Sequence, residues 1–120
     1  MERKIGMIWL EMINIRAAGI SEAEKVLDIC SQFYLSVASD KLLEMTIFRN
    51  VKYATDISIH LRWKSNPGNE SVLGRQLSSA LENLGLISRA VWIQEEQPDG
   101  DKVVQQPSRL QVGGELGPSI

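Results

Sequence analysis

The chain has 120 residues, the size of one domain with its own core, and its 43% hydrophobic and 23% charged residues are an ordinary globular balance. A formal net charge of −2 supplies no basic field for a phosphate backbone, so nucleic acid is not expected as a partner. The single cysteine, Cys30, rules out an internal disulfide and fits a reducing cytoplasm, and no apolar run reaches the roughly eighteen residues of a membrane span.

Residues 5–16 read IGMIWLEMINIR and are apolar on both parities, which predicts a central strand covered on both sides. Ser21 with Glu24 three residues later forms a capping-box pattern, and Ile20 before it is placed to staple the first turn. Val26, Leu27, Cys30 and Phe33 follow at helical spacing, so a helix should end near Tyr34 or Leu35. Cys30 lies on that apolar pattern, as a buried structural thiol would.

Residues 42–50 and 56–64 alternate as half-buried strands, joined by a short loop that lacks Gly and Pro. A turn at 65–69 leads to a second helix carrying Val72, Leu73, Leu77, Leu81 and Leu84, with Ser71 or Asn69 as its cap. Gly74 inside this helix implies close packing against a neighbour, and Gly85 stands where a left-handed residue would stop the helix. Residues 87–95 read as a fourth strand, and from residue 97 Pro and Gly interrupt any regular element. The expected organisation is a domain over 1–96 and an extended or flexible arm over 97–120.

Two right-handed crossovers joined by a hairpin give a ferredoxin-like βαββαβ fold of the α+β class, with strand order 4-1-3-2 and both helices on one face. The helices should cover the more apolar parity: Ile8, Leu10 and Met12, then Leu43, Met45 and Ile47, then Ile57, Ile59 and Leu61, then Val91 and Ile93. The opposite face would then carry Met7, Trp9, Glu11 and Ile13 with Glu44, Thr46, Phe48, Ser58, His60, Arg62, Ala90 and Trp92. So apolar a surface predicts a homodimer paired sheet to sheet.

With that order, with Leu61-Arg62-Trp63 closing one strand, and with Gly85-Leu86-Ile87 leading to Val91-Trp92, the chain resembles the dimeric α/β barrel superfamily. Within it, the antibiotic-biosynthesis-monooxygenase-like proteins are the nearest pattern, over about residues 5–95. The resemblance implies a sheet-to-sheet dimer more strongly than any one reaction. It also implies a place among cofactor-independent oxygenases, haem-degrading enzymes, isomerases and ligand-binding domains. The asparagine, tryptophan and histidine of the haem-degrading branch would fall on Asn14 and Trp63, but the only histidine here, His60, lies on a strand.

For chemistry, His60 is the side chain whose ordinary pKa lies nearest neutrality. As catalytic groups we expect His60 to take a phenolic proton and Arg62 to stabilise the anion, with the substrate held by Trp9, Glu11, Glu44, Phe48 and Trp92. The anion would react with oxygen without a cofactor. One histidine, one cysteine and no dense carboxylate cluster give no metal site. The rival expectation is a non-catalytic ligand-binding or assembly domain whose sheet face serves only dimerisation, and a third is docking to a partner through the arm.

Overall fold

The computed structural model of the protein describes residues 7–36 and 41–95. Six elements follow one another: β1 (Trp9–Ala17), α1 (Ile20–Ser36), β2 (Leu42–Arg49), β3 (Asp56–Trp63), α2 (Val72–Leu81) and β4 (Gly85–Ile93). The four strands form one antiparallel sheet in the order β2-β3-β1-β4, the expected 4-1-3-2 read from the other edge. The 97–120 arm and the start of the predicted first strand lie outside the described residues.

Local chemistry sets the element ends. α1 begins one residue before the expected cap: the Gly19 carbonyl accepts from the Ala23 N–H at 2.9 Å, so Gly19 takes the cap position and Ser21 lies inside the helix. Glu24, expected in a capping box, instead pairs with Arg49 of β2 at 3.0 Å. The β2–β3 loop turns without glycine because Asn50 Oδ1 accepts from the N–H groups of Lys52 and Tyr53, each at 2.8 Å. Ser71 caps α2, its hydroxyl accepting from the Gly74 N–H at 2.8 Å.

Gly85 does not stop α2 in a left-handed conformation. It is the first residue of β4, opposite Ala17, and a Cβ there would run into the Arg16 carbonyl. Among the described glycines only Gly68, in the turn before α2, has positive φ, at 78°.

The core lies between the sheet and the two helices. Ala23, Val26 and Cys30 of α1 and Leu77 and Leu81 of α2 pack over Ile13, Ile15, Met45, Ile57, Ile59 and Leu61. This corrects the expected face of β1. Glu11, Ile13, Ile15 and Ala17 point to the helices, while Leu10, Met12, Asn14 and Arg16 point away. Leu43 also leaves the core side, because the register shift between Leu42 and Glu44 places it at an irregularity where it is half exposed. The other assignments for β2, β3 and β4 agree with the register.

Candidate functional site on the open sheet face

Directly opposed residues of antiparallel strands share a face, and neighbouring strands stand about 4.8 Å apart. The register therefore lays out the open face as rows running from β4 to β2. The first is Trp92, Leu10, Arg62 and Glu44; the second is Ala90, Met12, His60 and Thr46. The third is Ser88, Asn14, Ser58 and Phe48, and the fourth is Leu86, Arg16 and Asp56.

Five of the seven expected site residues lie on this face. His60 stands beside Phe48, their ring centroids 4.7 Å apart and tilted by 51°. Its Nε2 is 3.0 Å from Ser58 Oγ. Partial burial lowers the His60 pKa below the ordinary 6.5, which favours the neutral ring. Arg62 Nη1 donates to Glu44 Oε1 at 3.0 Å, and Thr46 Oγ1 donates to Glu44 Oε2 at 3.0 Å. The Arg62 hydrogen bond, followed by that from Thr46, holds the Glu44 carboxyl below its usual range. Trp92 lies across β1 from Arg62 and is 58% exposed.

Trp9 and Glu11 are on the other side of the sheet, which corrects their expected place in one pocket with His60. Trp9 packs partly buried against the core. Glu11 is 1% exposed and accepts three hydrogen bonds: from Trp63 Nε1 at 2.9 Å, the Ser71 N–H at 2.9 Å and Ser71 Oγ at 2.7 Å. Its carboxyl joins β1 and β3 to the start of α2, and a Cβ on Gly74 would strike it. The close neighbour expected for Gly74 is thus the Glu11 side chain.

A recess of about 530 Å³, open to solvent, occupies the third and fourth rows. Asn14, Ser58 and Ser88 form a polar floor, Phe48 and Leu86 stand on either side, and Arg16 and Asp56 close one end. Arg16 binds Asp56 through two hydrogen bonds, at 2.9 and 3.1 Å. That pairing raises the Arg16 pKa and lowers that of Asp56. The sequence reading missed this recess. The alternation Ile13-Asn14-Ile15-Arg16-Ala17 was the available signal, since it turns Asn14 and Arg16 outward.

Cys30 is fully buried on the core-facing side of α1, and burial pushes its thiol up to about 11. Among the described residues no three His, Cys, Asp or Glu side chains group as metal ligands, and no helix is long and apolar enough to cross a membrane.

No protein-family model matches the sequence, and no curated protein matches it. Solved structures share its fold. A conserved protein of unknown function from Bacteroides thetaiotaomicron matches with a TM-score of 0.59 at 13% identity, over 74% of this chain and 98% of that one. A monooxygenase from the gene ActVA-Orf6 of Streptomyces coelicolor, in complex with the ligand nanaomycin D, matches with a TM-score of 0.57 at 14% identity, over 79% of this chain and 92% of that one. SnoaB from Streptomyces nogalater, a cofactor-independent oxygenase, matches with a TM-score of 0.52 at 11% identity, over 79% of this chain and all of that one. The fold is therefore the ferredoxin-like fold of antibiotic-biosynthesis-monooxygenase-like proteins, as the sequence pattern implied.

Proposed function

We propose that the chain works as a homodimer paired through the open face of its sheet. In this reading the paired faces hold a small aromatic molecule that molecular oxygen oxidises without a cofactor. The observation that supports it is the make-up of that face: Phe48 against the His60 ring and Trp92 across β1, 49% and 58% exposed. A monomer rarely leaves so large an apolar surface in water, and aromatic side chains suit a flat ring. Two neighbours of the same fold are a monooxygenase and a cofactor-independent oxygenase, which agrees with the proposal. The single buried thiol fits the reducing cytoplasm.

On this reading His60 takes the proton of a phenolic substrate and Arg62 lends positive charge to the anion. Oxygen then attacks a ring carbon. One oxygen atom becomes a carbonyl there; the other leaves as water with the ring hydrogen and the phenolic hydrogen. Trp9 and Glu11 take no part, because the sheet separates them from His60. The Glu44–Arg62 pair favours the non-catalytic rival, since it already neutralises the cation.

Sedimentation equilibrium tests the pairing. The full chain should run as a dimer at micromolar concentration and Trp92→Asp as a monomer, whereas a monomeric parent would remove the shared pocket. Oxygen uptake with anthrone, whose enol is a phenol, tests the chemistry. His60→Ala should slow it by about 100-fold, the usual scale of a lost general base, and unchanged uptake would leave the ligand-binding rival.

A further inference from the structure

The recess beside His60 has chemistry of its own. At about 530 Å³ it has room for one molecule of two or three fused rings. Its end is charge-balanced: Arg16 is engaged by Asp56 through two nitrogens, so no unpaired cation waits for an anionic ligand. Its floor is polar and only partly satisfied. Ser58 is occupied by His60, whereas the half-buried Asn14 carboxamide and the Ser88 hydroxyl have no hydrogen-bond partner among the described residues. A half-buried carboxamide loses part of its hydration and is stabilised by whatever restores those bonds.

A carboxamide presents a planar edge with a donor beside an acceptor, and the group that complements both is another amide edge. Phe48 borders the same recess and supplies an aromatic surface for a ring. We infer that the recess binds a neutral, planar molecule bearing a lactam or primary amide, which pairs with Asn14 while its ring rests against Phe48. This rests on the reading above only in placing a small molecule on the open face. It adds the ligand's polar edge, its lack of charge and the residue that selects it.

The test uses three bicyclic probes on the full chain: carbostyril, which carries a lactam; quinoline, which has only an acceptor; and quinaldate, which is an anion. Calorimetry should rank carbostyril about tenfold tighter than quinoline, the scale of one or two hydrogen bonds, with quinaldate weakest. Heteronuclear NMR should show the Asn14 side-chain amide shifting with carbostyril. Asn14→Leu should lose that tenfold preference and keep its quinoline affinity, with an unchanged circular dichroism spectrum. If carbostyril and quinoline bind alike, if none of the probes binds, or if Asn14→Leu keeps the preference, the inference fails. Tightest binding by quinaldate would overturn the neutral ligand class. Sedimentation and anthrone uptake on the same samples separate the two proposals: an intact dimer with anthrone activity and no lactam preference removes this inference alone.

Discussion

Glu11 and Gly74 form one unit of structure. The carboxyl satisfies donors from Trp63 and Ser71 at once, and the missing Cβ of Gly74 leaves the space in which it lies. Glu11→Ala leaves buried donors without an acceptor and should lower stability by about 3 kcal/mol in urea unfolding. Gly74→Ala should cost about 1–3 kcal/mol by overpacking, despite alanine's better helix propensity. The two losses should not add. With Glu11 shortened, Gly74→Ala should become nearly neutral or stabilising, and additive losses would refute the shared space. His60 makes a separate prediction. Its pKa in the folded chain is depressed below the ordinary 6.5, so the unfolded chain binds more protons in that range. The stability it contributes is fully present above pH 6.5 and lost as pH falls through the folded pKa. His60→Gln should flatten the fall in urea midpoint over that window, and an unchanged slope would refute the His60 contribution, because Glu44 and Asp56, whose folded pKa values are also lowered, act only further down, from their ordinary 4.5 and 3.8.

Among the elements, β3 and β1 mark how far periodicity carries. Strand β3 alternates cleanly, and its buried set Ile57, Ile59, Leu61 and Trp63 was legible from the spacing alone. β1 is apolar on both parities at its start, so the two faces compete there. Glu11 looks like a solvent-side residue in isolation, yet it is buried because its partners come from 52 and 60 positions further along the chain. No local pattern carries such a pairing. The later half of β1, with Ile13, Ile15 and Ala17 against Asn14 and Arg16, held the better signal. The same reasoning explains the site: His60, Arg62, Glu44, Phe48 and Trp92 sit on strands whose parity was unambiguous, whereas Trp9 and Glu11 took the ambiguous one. Gly85 was read as a helix stop because it follows Leu84, the last residue of the predicted apolar stripe, whereas α2 ends at Leu81. Its need for an absent side chain comes instead from Arg16, far away in sequence.

For the whole molecule, element order and strand order followed from chain direction and handedness, and a solved structure at 11% identity shares the fold. A sheet with helices on one side only leaves its other side to be covered. If that cover is a second copy, unfolding is linked to association, and the thermal midpoint should rise with protein concentration. A midpoint constant over a hundredfold dilution range would argue for an isolated protomer.

The sealed position of Cys30 has a practical corollary. With its sulfur between α1 and the sheet and a thiol pushed up to about 11, the native protein offers almost no thiolate to an alkylating reagent at neutral pH. A fluorophore or spin probe attached through one engineered surface sulfur would therefore report from a single known location, without first removing the natural one. If two copies pair, distances between such probes would map how they are oriented.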